Sequence, residues 1–319
     1  MPIHANTLIL EEKRIALEAL CLITEKRDGR IKGRKVAVGS KERTYDGYDM
    51  SDGSSPTVQT DSITLAGVID AHERRDTATM DIGNAYLTAE NDENIVMVLR
   101  AKLAEMMVRV NPDLYRPYII YSAKGVPMLY VCLSKALYGM LRAALLFYKK
   151  LRGELESMRF KVNPYDPCVA NKTIKGAQCT VCWHVDDLKI SHIDPNVVTK
   201  VCDDLSKIYR GKCKIHRGGV HDYLGMDLDY ESKPGTLIIL MIKYLQKITD
   251  KWPKELTQTR ACPAGDHLFT TRDDEDREIL PPEMASQFQR TTAQLLFLTM
   301  RARPDIQTAV SFSRQGRKN

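Results

Sequence analysis

The segment Trp183-His184-Val185-Asp186-Asp187-Leu188-Lys189 constrains this chain more than any other, because two adjacent carboxylates interrupt sequence that otherwise favours strands. Cys179 to Val185 reads as one strand and Leu188 to His192 as the next, which puts the acidic pair at the tip of a tight hairpin. Two carboxylates held together there repel each other and lose solvation, and a divalent cation relieves both costs. A metal site is the leading expectation. Asp203-Asp204 and Asp273-Asp274 repeat the dipeptide, but among polar neighbours, where a solvated turn or helix face accounts for them.

A third carboxylate strengthens that expectation. In Thr77-Ala78-Thr79-Met80-Asp81-Ile82-Gly83-Asn84-Ala85-Tyr86-Leu87, Asp81 ends a β-prone run, Gly83 permits a sharp turn, and an aromatic ring follows at Tyr86. If this strand lies beside the hairpin, Asp81 meets Asp186 and Asp187 across the sheet. Three acids then hold two Mg²⁺ ions about 3.5–4 Å apart, one activating an attacking hydroxyl and the other stabilising the leaving oxygen of a phosphoryl displacement. Mg²⁺ suits such a site because it takes few carboxylates and completes its octahedron with water and phosphate.

At these residues the chain resembles the reverse transcriptase of copia-type long-terminal-repeat retrotransposons. The resemblance runs through Lys32-Gly33-Arg34-Lys35-Val36-Ala37, Ser55-Pro56-Thr57-Val58, the Asp81 to Leu87 segment, Lys135-Ala136-Leu137-Tyr138-Gly139, Tyr165-Asp166-Pro167-Cys168, the Asp186-Asp187 hairpin and Tyr223-Leu224-Gly225-Met226. It ends with Leu295-Leu296-Phe297-Leu298 and Arg303-Pro304-Asp305-Ile306. The resemblance implies an α+β right-hand polymerase fold with fingers, an antiparallel-sheet palm and a partial helical thumb. It implies that Asp81, Asp186 and Asp187 are the catalytic metal triad, with Mg²⁺ as cofactor and Mn²⁺ as a substitute. Tyr86 matches the aromatic that stacks under the incoming sugar and rejects a 2′-hydroxyl, the group that separates RNA from DNA precursors. An ordinary core aromatic is the plainer reading of Tyr86.

The same resemblance assigns Lys32 and Arg34 to the triphosphate, which Arg grips with a planar fork and Lys with a point charge. Arg27, Arg30, Lys35 and Lys41 lie in the same stretch, so a solvated basic face is the competing account. Tyr223, Leu224 and Gly225 match the motif that positions the primer end. Two departures stand out: His184 replaces the Tyr that usually precedes the acidic tip, and Arg142-Ala143-Ala144-Leu145 replaces the usual Gln-Ala-Pro-Arg. Arg142 thereby takes the place of a residue that lies against nucleotide and template. The implied partners are an RNA or DNA template, a DNA primer and dNTPs. Ribonuclease H and integrase, the companion domains of such polyproteins, have no counterpart in the sequence. The implied setting is a cytoplasmic particle, with the nucleus as alternative.

Composition is consistent with this reading without requiring it. The 319 residues are 43% hydrophobic and 28% charged, enough for a substantial core. The formal net charge of +6 is a mild basic excess compatible with a nucleic-acid partner. Lys149, Lys150, Arg152, Lys207, Arg210, Lys212, Lys214 and Arg217 are candidate backbone contacts, with solubilising charge as the alternative for each. No apolar run is long enough for a transmembrane span, and the start lacks a signal-peptide pattern. Eight irregularly spaced cysteines point to reduced thiols. Cys179 and Cys182 form one Cys-x-x-Cys without the second pair that zinc usually needs, so both read as buried strand residues.

Periodicity predicts a helix from Glu11 to Glu25, a turn at Asp28-Gly29, a strand from Lys32 to Val38, an exposed loop from Asp46 to Pro56 and a helix from Ile63 to His72. A long amphipathic helix from Leu137 to Met158 is expected to cover the acidic sheet. Strands follow at Lys214–Ile215, Tyr223–Leu228 and Leu237–Met241, and a helix from Ile242 to about Asp250. Thr271–Pro282 reads as a linker to helices at Phe288–Arg301 and Pro304–Arg314. By resemblance, residues 1–75 and 91–131 are fingers, 76–90 and 132–230 palm, and 231–319 a thumb- or connection-like region that is expected to be truncated. Two rival functions remain: a non-catalytic retrotransposon remnant that binds nucleic acid, and a two-metal nuclease, which leaves Tyr86 unexplained and lacks a separate general base.

Overall fold

Strands with apolar residues on alternate positions need a covering layer, and the central sheet of this protein finds one in two helices. The computed structural model describes residues 1–25, 29–44, 53–250, 261–265 and 280–315. Its central sheet runs in the order Cys213–Arg217, Asp76–Ile82, Asp187–His192, Ala177–His184, Val169–Ile174, Lys161–Val162, and every neighbouring pair is antiparallel. Ala78, Met80, Val181, Trp183, Leu188 and Ile190 are buried in one continuous core with Phe147 and Leu151 of the helix Ala143–Ser157 and with Val198 and Leu205 of the helix Pro195–Ile208.

A second sheet joins Pro2–Ile3, Pro127–Cys132, Val96–Arg100, Leu17–Glu25 and Ile31–Ala37, and Ile120–Tyr121 adds to Pro127–Cys132. Only the pairing of Leu17–Glu25 with Val96–Arg100 is parallel among its contacts. A small third sheet is formed by Val220–Tyr223, Met226–Asp229 and Ile238–Leu240. The class is α+β, as expected. Among the described residues no helix is long and apolar enough to cross a membrane.

The helix Thr60–His72 and the strands Ile31–Ala37 and Cys213–Arg217 lie where the sequence placed them. Three expectations need correction. The predicted helix Glu11–Glu25 is a short helix, Leu10–Ile15, followed by the strand Leu17–Glu25, whose backbone groups pair with Ile31–Ala37. The predicted helix from Leu137 starts only at Ala143, because the chain first turns through Gly139 at φ 92°, where Ala37 N donates to Tyr138 O at 2.8 Å. The predicted strand Tyr223–Leu228 is a hairpin: Leu224 and Gly225 take φ values of 53° and 79°, as a two-residue turn between paired strands requires. Further on, Ile238–Leu240, Ile242–Thr249, Pro282–Thr299 and Gln307–Gln315 match expected elements within a few residues, except that Phe288 lies inside a helix that already begins at Pro282. Most of the Asp46–Pro56 loop, Asp28 of the predicted turn and nearly all of the Thr271–Pro282 linker lie outside the described residues.

Candidate active site

The hairpin closes between His184 and Asp187, which are register partners, so Val185 and Asp186 form its two-residue tip. Val185 takes φ 57°, a left-handed conformation that a β-branched residue rarely adopts and that tends to be retained at functional turns. On the next strand Asp81 is the direct partner of Asp187, and Ile82 N donates to Asp186 O at 3.0 Å. Directly opposed residues share a face of the sheet, so one row reads His184, Asp187, Asp81, Lys214. Gly83 serves less as a pivot than as a point of close approach: its N donates to Lys212 O at 3.0 Å, and an added Cβ would lie 2.8 Å from that oxygen. The turn itself is taken by Asn84 at φ 58°.

The three acids are electrostatically coupled. Burial pushes the Asp187 carboxyl up to about 6, and Asp186, Asp81 and Asp222 add to the shift. Asp186 is raised as well, chiefly by burial and further by Asp81, while a backbone hydrogen bond, His184 and Arg34 oppose the rise. No ion pair to a basic side chain compensates Asp81, Asp186 or Asp187 among the described residues. A cleft of about 210 Å³ opens on Asp81 and Asp187 and is lined also by Lys214, Asp222 and Tyr223. Among the described residues no group of three or more His, Cys, Asp or Glu side chains forms a ready-made metal cage. Mg²⁺ asks for less than such a cage, one or two carboxylates with water and phosphate completing the shell, and Asp81 and Asp187 facing one cleft would meet that demand.

An aromatic shelf adjoins the acids. Tyr86, on the short 3₁₀ turn Ala85–Thr88, packs its ring 4.6 Å from that of Tyr138 and edge-on to Phe147 at 6.3 Å. Burial raises the Tyr86 hydroxyl, and the Asp186 charge adds to the effect. The Arg34 guanidinium lies 5.9 Å from the centre of the Tyr138 ring and is close enough to Asp186 to favour its charged form. Arg34, Tyr86 and the acids are therefore brought together. Lys32 is exposed on the same strand as Arg34, two residues before it. Tyr138 was not singled out from the sequence, although it sits inside the quoted Leu137-Tyr138-Gly139 block.

Arg142 is engaged elsewhere. Its guanidinium pairs with Glu93 and, at 3.2 Å, with Asp92, and its side chain is 11% exposed. Glu42 steadies the same turn by accepting from Leu141 N at 3.1 Å. The Tyr223 hydroxyl is buried and donates to Cys182 O at 3.4 Å and, more weakly, to Asp187 O at 3.5 Å, which ties the Leu224-Gly225 turn to the acidic hairpin. Cys179 and Cys182 are both buried and free, with thiols pushed up by burial to about 12 and about 11.

No protein-family model matches the chain. Over 298 residues it is 24% identical to the retrovirus-related Pol polyprotein from transposon TNT 1-94 of Nicotiana tabacum, covering 89% of this chain and 20% of that protein. It is 26% identical over 235 residues to a putative transposon Ty5-1 protein of Saccharomyces cerevisiae, covering 73% of this chain and 67% of that protein. This chain is similar to retrotransposon Pol polyproteins. The yeast transposon Ty1-NL2 Gag-Pol polyprotein is similar at 26% identity over 251 residues, covering 77% of this chain and 12% of that protein. It thus spans about a fifth or less of the full-length polyproteins it matches. Among solved structures it is similar to a foamy viral protease-reverse transcriptase in complex with double-stranded DNA, at 12% identity and TM-score 0.41 over 90% of this chain and 38% of that one. Apo telomerase from Candida tropicalis is similar at 12% identity and TM-score 0.45, over 99% of this chain and 59% of that one.

Proposed function

We propose that this chain is the polymerase portion of a retrotransposon Pol polyprotein, an RNA-directed DNA polymerase that joins a dNTP to a primer 3′-hydroxyl at Asp81, Asp186 and Asp187. The observation that carries the reading is the direct pairing of Asp81 with Asp187 beside Asp186 at a strained hairpin tip, in a chain similar to Pol polyproteins. The right-hand arrangement belongs to the proposal, with residues 76–90 and 132–230 as palm, 1–75 and 91–131 as fingers, and 231–319 as thumb or connection.

Two Mg²⁺ ions, when bound, would supply charge neutralisation of the triphosphate and a lowered pKa for the attacking hydroxyl. Asp81, Asp186 and Asp187 would hold them, and the half-buried carboxylates are suited to it because burial and mutual repulsion raise Asp186 and Asp187 with no ion pair among the described residues to offset them. The ring of Tyr86 would lie under the sugar, held by Tyr138 and Phe147. Arg34 would direct two N–H donors at the triphosphate. Tyr223 would keep the Leu224-Gly225 turn against the hairpin so that the primer end meets the acids.

One observation favours the catalytically silent remnant: Arg142 is committed to Asp92 and Glu93 at a position that the resemblance assigns to the nucleotide. Primer extension decides between them. Wild-type chain is incubated with an RNA template, a DNA primer, dNTPs and Mg²⁺, next to Asp186→Asn/Asp187→Asn. Extension by the wild type and its loss in the variant support the proposal. Extension that survives the double replacement removes the chemistry from these residues. A folded wild type that binds primer-template without incorporating nucleotide is the remnant, and metal-dependent cleavage of an unprimed strand is the nuclease.

A further inference from the structure

Two residues beyond Asp187, and on the same face of the sheet, Lys189 is buried to 1% exposure with its register partner Thr79 beside it. Its Nζ donates to Asp70, equally buried, on the helix Thr60–His72. The second oxygen of Asp70 stands 3.7 Å from the guanidinium of Arg75, whose side chain is 3% exposed. Arg75 immediately precedes the strand that carries Asp81, and it donates to Thr180 Oγ1 at 3.0 Å, on the strand that leads into the acidic tip. The Tyr230 phenol lies beside Lys189 and Asp70, closing the cluster from just past the strand Met226–Asp229. One carboxylate, Asp70, is thus linked directly or through one side chain to the strand that carries Asp187, to the strand that leads into the Asp186 tip, and to the residue that immediately precedes the Asp81 strand.

Burying these charges brings no obvious stability. Desolvation consumes much of the attraction, and apolar side chains of similar volume usually serve a core as well or better. A buried ion pair does single out one alignment of the elements it joins. In a strand that matters acutely, because a shift of one residue sends every side chain to the opposite face and would carry Asp187 away from Asp81.

We propose that Asp70, Lys189 and Arg75 form a positioning cluster that sets the register and depth of the Asp81 strand and of the two hairpin strands that hold Asp186 and Asp187 between them, from the row behind the reaction centre. The inference rests on the polymerase reading for its consequence in turnover, and on the fold alone for its consequence in the hairpin. The cluster touches neither primer nor nucleotide. It acts through the backbone of the strands.

The test uses the full chain with Lys189→Met/Asp70→Leu, which replaces the pair by apolar volume, and with Asp70→Glu, which keeps the charge on a longer arm. Three quantities are read: thermal stability, Mn²⁺ binding by the protein alone, and amide hydrogen exchange at Val185 to Leu188, with kcat and KM for dNTP measured beside them. Arg75 keeps its closer carboxylate, Glu73 at 2.8 Å, so the expected result is a folded double variant near wild-type stability whose hairpin amides exchange faster and whose Mn²⁺ affinity drops. Its kcat falls on the order of a hundredfold, the cost of a misplacement near 1 Å, at unchanged KM. Asp70→Glu shifts the same quantities in the same direction, by less. Wild-type exchange, Mn²⁺ affinity and kcat in either folded variant overturn the proposal, and so does failure of both variants to fold, which assigns the cluster to stability alone. A wild type that does not extend primers sinks the polymerase reading instead, and hydrogen exchange still reports on the cluster.

Discussion

Asp81 and Asp187 stand directly opposite each other on neighbouring antiparallel strands, so two carboxylates that are remote in sequence share one face of the sheet. Burial first, and this crowding second, favour a proton there. The Asp187 carboxyl, raised from 3.8 to about 6, binds a proton more readily in the folded chain than in the unfolded one. Between those two values the folded state therefore carries more protons, and its stability falls as pH rises through the window, levelling above it. Thermal melts in chelator are expected to show this loss in the wild type relative to Asp187→Asn, which has no such carboxyl. Mg²⁺ should restore stability at neutral pH and have little effect at the acid end, where the proton competes. Equal pH profiles for wild type and Asp187→Asn would remove the coupling.

Gly139 should be irreplaceable for a different reason. Its φ of 92° lies in the left-handed region, and an added Cβ would sit 2.0 Å from Ala37 O. Gly139→Ala therefore meets both backbone strain and a collision with the strand that carries Arg34. The expected loss is about 3 kcal/mol or more, taking the upper range of backbone strain as the floor. Denaturant unfolding measures it, and a change below about 1 kcal/mol would mean that the turn yields easily.

The strands of the acidic hairpin and the Asp81 strand were legible because alternation and a polar tip are local signals. The pairing of Asp81 with Asp187 was legible only as a condition, since it spans more than a hundred residues. Leu17–Glu25 reads as helix because Ile15, Leu17, Leu20 and Leu22 are spaced like one helical face, and the pairing with Ile31–Ala37 overrides that local periodicity. The Tyr223-Leu224-Gly225 turn carried its own signal, a Gly between apolar runs, which the expectation of a continuous strand obscured. Asp70 and Lys189 gave no signal at all. Each looks like an ordinary surface charge until the fold joins residues 119 apart in a buried pair.

Asp166 was expected only as part of a quoted block, and the structure gives it a mechanical role. It is 2% exposed and accepts from Gln59 N at 3.0 Å and from Cys168 N at 2.9 Å, so it starts the helix Thr60–His72 from across the fold. Asp166→Ala leaves both donors without a partner and should cost about 2–4 kcal/mol, the sum of a lost cap and an unsatisfied buried N–H. Asp166→Asn keeps one acceptor and should cost about half as much. Chemical denaturation of the two variants checks the order, and equal losses would argue that charge, rather than hydrogen-bond geometry, is what the site requires.

Tyr86 separates the sugar-contact role from simple packing. Its ring is held between Tyr138 at 4.6 Å and Phe147 at 6.3 Å, which fixes the ring plane next to Asp186. If the ring is the wall that meets a 2′-hydroxyl, Tyr86→Ala opens the space and Tyr86→Phe keeps it closed. The ratio of kcat/KM for a dNTP over the matching ribonucleotide is expected to fall about 10- to 200-fold in Tyr86→Ala, the range for one steric contact, and to stay near the wild-type value in Tyr86→Phe. A stability loss with an unchanged ratio would make Tyr86 a packing residue of the Phe147 core. A ratio that falls equally in Tyr86→Phe would move the discrimination from the ring to its hydroxyl.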